Sequence, residues 1–221
     1  MNQVFHKYLD KFVVVYLDDI VVYSSTMEEH EHHLRLIFEK LREHQLYVKR
    51  EKCAFAQQRI NFLGHVIEVG KVGMEEEKVK AIKEWKTPSL LTEVCSSLGL
   101  ANYYRWFVEG FLKRVEPLTE LLKKRNKWNW TSRCQEAFDN LKNAMMEGPV
   151  LGIVDVTKPF EVETDASDFA PGGVLLQEGH PIAYESQKLN EAERRYAASE
   201  KEMLAPTAYD CADSTSLAPS L

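Results

Sequence analysis

The stretch that most constrains this chain is Phe12-Val13-Val14-Val15-Tyr16-Leu17-Asp18-Asp19-Ile20-Val21-Val22-Tyr23. Two runs of β-branched and aromatic residues flank adjacent aspartates, which predicts a β-hairpin with the Leu-Asp-Asp-Ile centre as its tight turn. Aspartate suits a turn because its side chain bonds nearby backbone amides, so a plain hairpin tip is one reading of the pair. The setting supports another. Apolar residues on both sides predict strands buried on both faces. Two like charges held at the end of such a hairpin repel, and one is pushed toward protonation unless a cation sits between them. Hard oxygen ligands on a rigid edge, with room for phosphate oxygens, make a Mg²⁺ site of the phosphoryl-transfer kind.

Beyond the hairpin, Leu34, Ile37, Phe38 and Leu41 recur at three and four, predicting an amphipathic helix over 26–43. His30, His32 and His33 stand at its front. Residues two apart on a helix do not face one another, so only His30 and His33 could share a ligand, and the cluster reads as a solvated helix start. Leu46-Tyr47-Val48 predicts a strand, and Ile60 to Ile67 a second hairpin turning at Gly70 and Gly73. Residues 75–147 are helical in character, with helices at 76–85, 92–100, 101–111, 117–124 and 132–146. After a connector at 148–159, strands are predicted at 160–165, 173–177 and 181–184. A helix over 191–205 follows, with Asn190 as N-cap and Glu193 completing a capping box.

At 221 residues the chain has room for two or three small domains. The run Phe12–Leu17 is far too short to span a bilayer, and the start lacks a signal-peptide pattern. Cys53, Cys95, Cys134 and Cys211 are scattered and read as reduced thiols, placing the chain inside the cell, in cytoplasm or nucleus. The net charge of −6 argues against a nucleic-acid partner until it is resolved along the chain. Residues 1–77 carry 10 basic and 13 acidic side chains, residues 78–128 carry 11 and 5, and residues 129–221 carry 7 and 16. A basic middle between acidic ends fits a segment that touches phosphates, with carboxylate-bearing ends that gather metal. The alternative is that Lys78, Lys80, Lys83 and Lys86 are a solvated helix face.

Tyr16-Leu17-Asp18-Asp19 resembles the Tyr-x-Asp-Asp box of reverse transcriptases, and Tyr16 to Ser24 is similar to the gypsy-type (LTR) retrotransposon branch. The likeness runs from Met1 to about Ala205. It implies that Asp18 and Asp19 hold catalytic Mg²⁺ against the incoming nucleotide. Phe62-Leu63-Gly64 resembles the primer grip, where glycine lets a nucleic-acid backbone approach closely. Leu98 to Arg105 resembles the thumb, whose aromatic stripe (Tyr103, Tyr104, Trp106, Phe107) reads as core. Lys123, Lys124 and Arg125 supply phosphate contacts. The pattern departs from the family at Trp106, where the family has Arg, and at Ser97, where it has Phe; both changes should weaken the thumb. Thr164-Asp165-Ala166-Ser167 resembles the opening box of a ribonuclease H fold, which implies Asp165 as first metal ligand and Glu202 as second. Pro171 interrupts the approach to the next strand.

The resemblance implies an α+β chain in pieces: the C-terminal half of a reverse transcriptase palm (1–74), a helical thumb (75–147), the N-terminal part of a ribonuclease H-like domain (148–205), and a divergent, disordered tail (206–221). By the same likeness the fingers and the palm strand with a third aspartate fall before Met1, and the tail departs as after an altered reading frame or splice end. The partners implied are an RNA template, a DNA primer, an RNA/DNA hybrid and the rest of a Pol polyprotein, with no membrane. Two functions are open: an RNA-directed DNA polymerase and ribonuclease H fragment inactive alone, or a non-catalytic remnant that keeps nucleic-acid binding.

Overall fold

The computed structural model describes residues 1–9, 11–123, 128–155, 157–165, 170–190 and 193. Helices and sheets mix along the chain, as the α+β expectation requires, in two compact units, Met1–Gln58 and the residues from Arg59 onward.

In the first unit a short helix α1 (Asn2–Phe5) precedes strands β1 (Val13–Tyr16) and β2 (Asp19–Val22), followed by helix α2 (Met27–Glu43). The strands pair antiparallel from Val13↔Val22 to Tyr16↔Asp19. The turn is therefore two residues, Leu17 and Asp18, tighter than the four expected, and Asp19 already belongs to β2. Leu17 takes φ +51°, the left-handed conformation that short hairpin loops need to match strand twist. Phe5, Phe12, Val13, Ile37 and Leu41 form the core, with Val15, Ile20 and Val22 packed at its margin. The expectation of strands buried on both faces does not hold: Tyr16, Leu17, Asp18 and Asp19 are exposed. In a two-stranded sheet the helices cover one face and water meets the other.

Helix α2 starts where its chemistry says it should. Thr26 Oγ1 accepts from the Glu29 N–H, and the Glu29 carboxylate accepts from the Ser25 N–H, which satisfies amides that a helix start leaves unpaired. Leu46-Tyr47-Val48, expected as a strand, is irregular. Among the described residues no strand of the unit lies beside it to complete a ladder, and Tyr47 is 96% exposed.

The second unit opens with β3 (Arg59–Phe62), β4 (His65–Glu68) and β5 (Lys71–Met74), an antiparallel meander rather than one hairpin. It turns at Leu63-Gly64 and Val69-Gly70. Helices α3 (Glu76–Lys83), α4 (Leu91–Tyr103), α5 (Phe111–Leu121) and α6 (Ser132–Met146) follow, with a 3₁₀ turn at Arg105–Phe107. α4 runs unbroken through Leu100 and Ala101, where two helices were expected. α5 begins six residues before Pro117 and carries the proline inside. A proline there loses one backbone bond, but Phe111, Val115, Leu118 and Leu121 bury one continuous stripe, and that burial holds the helix together. Gly110, at φ +61°, makes the bend before it.

The connector returns as β6 (Leu151–Gly152), which pairs with β5 and gives the order β3-β4-β5-β6. A separate sheet, β7 (Glu161–Asp165), β8 (Gly172–Gln177) and β9 (His180–Ser186), is ordered β7-β8-β9. Pro171 sits just ahead of β8, where a missing donor costs the ladder nothing. Its carbonyl accepts from the Gln187 N–H.

Leu118 and Leu141 are fully buried where α5 meets α6. Leu118→Ala should lower unfolding free energy by about 2–5 kcal/mol. Leu90→Ala, at a position 59% exposed, should cost about 0.5 kcal/mol or less. Guanidinium titration of both variants beside the parent measures the contrast.

Candidate catalytic and nucleic-acid sites

The hairpin puts Asp18 in the two-residue loop and Asp19 first on β2, both carboxylates in solvent. Their oxygens are the donor type that Mg²⁺ takes, and Mg²⁺ keeps waters and phosphate oxygens in the rest of its shell, so an exposed pair fits it in kind. In number the pair stands by itself: among the described residues no group of three His, Cys, Asp or Glu side chains could hold a metal ion.

His30 and His33 do converge, on Ser24 rather than on a metal. The Ser24 hydroxyl lies 2.7 Å from His33 Nδ1 and 3.3 Å from His30 Nδ1. His33 also stacks on Phe12, ring centroids 3.8 Å apart and planes within 6°. The solvated helix start expected here is thus partly a packed clamp on the exit from β2. Its sequence signal was the i, i+3 spacing, and its partner Ser24 gave none.

The turn at Leu63-Gly64 is the most heavily tied part of the second unit. Both residues have positive φ, +50° and +76°. The Tyr103 hydroxyl donates to the Leu63 carbonyl at 2.6 Å, and the Tyr104 hydroxyl donates to the Gly64 carbonyl at 2.8 Å. The Gly64 carbonyl also accepts from the Glu75 N–H at 3.1 Å. His65 Nδ1 lies 3.0 Å from the Leu63 carbonyl. A carbonyl only accepts, so Nδ1 carries the hydrogen. The His65 ring is caged by Tyr103, Tyr104 and Phe107, at centroid distances of 5.4, 5.3 and 5.7 Å. Burial keeps its pKa below the usual histidine value despite that bond, and burial lifts the Tyr104 phenol to about 12.

This geometry bears on three expectations. Phe62 is buried and anchors β3. Gly64 is favoured by its backbone conformation, and a Cβ there would come within 2.7 Å of the Tyr104 hydroxyl, a requirement that stands beside the close approach expected of it. Tyr104 and Phe107 are core as expected, but Tyr103 is 48% exposed and works through its hydroxyl. Adjacent tyrosines in an apolar stripe carry polar tips that phenylalanines would lack, and that was the available signal.

Trp106 forms a platform for its neighbour, with the Arg105 guanidinium 4.3 Å above the ring. Ser97 is buried and donates to the Val94 carbonyl at 3.0 Å, so a satisfied hydroxyl fills that core position. Of the basic run, Lys123 is paired with Glu120; Lys124 and Arg125 lie outside the described residues.

Asp165 ends β7 opposite Gly172. With Glu163, two residues back on the same face of the strand, it lines an open cleft of about 890 Å³ whose other wall includes Lys113, Arg114 and Arg133. Arg133 is paired with Glu116, and Arg114 Nε donates to the Glu109 carbonyl. Asp165 and Glu163 are exposed along an edge strand. Glu202 lies outside the described residues, as does the body of the helix expected to carry it. The capping box before it is formed: Asn190 N–H to Glu193 at 2.8 Å and Glu193 N–H to Asn190 at 2.9 Å. Among the described residues no helix is long and apolar enough to cross a membrane.

Two family models match the chain: reverse transcriptase (RNA-dependent DNA polymerase) over residues 1–67, and the RNase H-like domain found in reverse transcriptase over 130–209. Over 207 residues the chain is 40% identical to the retrovirus-related Pol polyprotein from transposon 297 of Drosophila melanogaster. It is 35% identical over 211 residues to the transposon Tf2-3 polyprotein of Schizosaccharomyces pombe. Each alignment covers 93% of this chain but only 20% and 16% of the relative, so the chain spans about a fifth or less of those polyproteins. Among solved structures, it is similar to the foamy viral protease-reverse transcriptase bound to an RNA/DNA hybrid, with TM-score 0.82 and 27% identity over 98% of this chain and 30% of that one. A second foamy viral structure, in complex with double-stranded DNA, matches with TM-score 0.84 over 98% of this chain and 39% of that one.

The pH response of the Leu63 turn follows from His65. Its folded pKa lies below the unfolded value of about 6.5, so between the two the unfolded chain binds more protons. Stability should therefore fall as pH drops through about 6.5 and level off below the folded value. Urea midpoints from about pH 8 to 5 should fall more steeply for the parent than for His65→Gln; equal slopes would remove His65 from the account.

Proposed function

Because this chain belongs to the reverse transcriptase family, as a segment of a retrotransposon Pol polyprotein with an RNase H-like part, we propose that it serves RNA-directed DNA synthesis and cleavage of the RNA in hybrids. The carrying observation is the Asp18-Asp19 pair at the exposed tip of a two-residue hairpin. Residues 1–74 act as palm, 75–147 as thumb and 148–205 as the ribonuclease H-like piece. Nucleic acid is the partner, with RNA template, DNA primer and their hybrid as its forms. The nucleic acids in the foamy viral complexes support this reading, as does the basic segment between residues 78 and 128.

Asp18 and Asp19 would hold Mg²⁺ for polymerisation, and Asp165 with Glu202 would do so for hydrolysis; bound there, the ion would polarise phosphoryl oxygens and orient the attacking one. The residues themselves present carboxylate oxygens at the end of a short hairpin whose strands are paired up to Tyr16↔Asp19. No third metal-ligating side chain is gathered beside the pair among the described residues, and we read the pair as part of a two-metal clamp. The chain alone thus contributes binding and part of a catalytic set. Losing one member of a set that acts as a unit costs orders of magnitude in rate.

The test is dNTP incorporation on a primed RNA template with Mg²⁺, beside an Asp18→Asn, Asp19→Asn control. No incorporation by the chain alone is expected; incorporation that the control abolishes would overturn the incomplete-set reading. Hybrid binding should be weak, indifferent to sequence, and steeply lost between roughly 50 and 200 mM salt as counterions are released. Replacing Lys123, Lys124 and Arg125 by Ala should flatten that slope. An unchanged slope would make the basic run an ordinary solvated face.

A further inference from the structure

The two-residue turn Leu63-Gly64 is held in a conformation it would not keep by itself. Leu63 is not glycine, yet it stands at φ +50°, a region that costs a branched side chain about 1 kcal/mol or more. Such a conformation persists when its surroundings over-determine it. Here the surroundings are specific. Each carbonyl of the turn accepts two bonds, one of them in each case from a tyrosine hydroxyl at the end of α4. The two tyrosines stand edge to face, rings 4.9 Å apart and planes at 88°, an arrangement aromatic pairs favour. Forty residues of sequence separate each hydroxyl from its acceptor. A turn that needed only to close a hairpin would not need them.

We propose that Tyr103 and Tyr104 are positioning residues for the nucleic-acid contact at Leu63-Gly64: through their hydroxyls, the end of α4 sets the direction in which the turn's backbone meets a phosphodiester strand. This rests on the reading of Phe62-Leu63-Gly64 as a nucleic-acid contact and deepens it, because with Phe62 buried that contact falls to the turn itself, Leu63 and Gly64, both partly exposed. Lys78 stands close to the turn's glycine, its Cε 3.9 Å from where a Gly64 Cβ would stand. A cation beside a fixed backbone corner suits an anionic strand, and misdirecting the corner would separate the two. The tyrosines touch no substrate in this account; they act through the turn.

The experiment removes hydroxyls and nothing else. Tyr103→Phe, Tyr104→Phe and the double variant are compared with the parent in binding to a short RNA/DNA hybrid at low salt, with amide chemical shifts of residues 62–65 followed through the titration. In the parent, those amides should shift on binding. The double variant should bind about tenfold more weakly, from two lost hydrogen bonds of ordinary strength. Its salt dependence should be unchanged, since no phosphate-contacting cation has been removed. A merely structural role would lower the melting temperature and leave both affinity and the amide shifts as in the parent, and that result overturns the proposal. If the amides of 62–65 do not move in the parent, the nucleic-acid reading of the turn fails first, and this inference with it. Tyr103 is half exposed, so Tyr103→Phe keeps the core intact and carries the test should the double variant not fold. Gly64→Ala supplies a second arm. Its Cβ would meet the Tyr104 hydroxyl at 2.7 Å, so its effect on affinity should be smaller in the Tyr104→Phe background than in the parent. Equal effects in both backgrounds would show that hydroxyl and turn do not act as a pair.

Discussion

A buried tyrosine hydroxyl on a backbone carbonyl organises the second unit. Tyr104 is wholly inaccessible, and a phenol in such a place must find an acceptor or lose the desolvation cost of its O–H. It finds the Gly64 carbonyl, and that choice fixes much else. Residue 64 must be glycine, the β3–β4 turn must be two residues, and the end of α4 must lie against the sheet rather than along it. His65 then fills the remaining space as a neutral ring with its hydrogen on Nδ1. Helix and sheet thus share a polar joint at this turn.

The first unit solves a similar problem with less material. Two strands cannot cover both their faces, so the hairpin spends its apolar side on α1 and α2 and leaves its tip in water. The aspartates owe their exposure to this. A pair of carboxylates at a wet tip repels weakly, because water screens neighbouring charges far better than protein does. Ser24, held between His30 and His33, secures the exit from β2.

Much of this was legible in the residues themselves. The runs of β-branched and aromatic residues announced β1 and β2, the three-four spacing of Leu34, Ile37 and Leu41 announced α2, and Asn190 with Glu193 announced a capping box that is formed as expected. Local rules suffice where an element is set by its own side chains. They failed where a distant partner decides. Leu46-Tyr47-Val48 has strand-like residues and no ladder to join. Pro117 looked like a helix start, yet a buried apolar stripe beginning at Phe111 carries the helix past it. Gly64 could be read as a place of close backbone approach, but not as the acceptor of a side chain forty residues on. The carboxylates of the hairpin could be read from their motif, whereas the tyrosines that tie the turn could be read only as apolar filler until their hydroxyls were seen to have acceptors.

The strand order β3-β4-β5-β6 has a consequence for how the molecule is made. β3, β4 and β5 are neighbours in the chain and can zip together as they emerge, but Val72 on β5 waits for Leu151, 79 residues later. At roughly 5–20 residues per second of synthesis, the outer edge of β5 stands open for several seconds while the whole helical segment is still being threaded out. During that interval a nascent chain offers a bare row of amides and carbonyls to any other nascent chain nearby. Crowded polysomes translating one message would be where that row first meets a wrong partner.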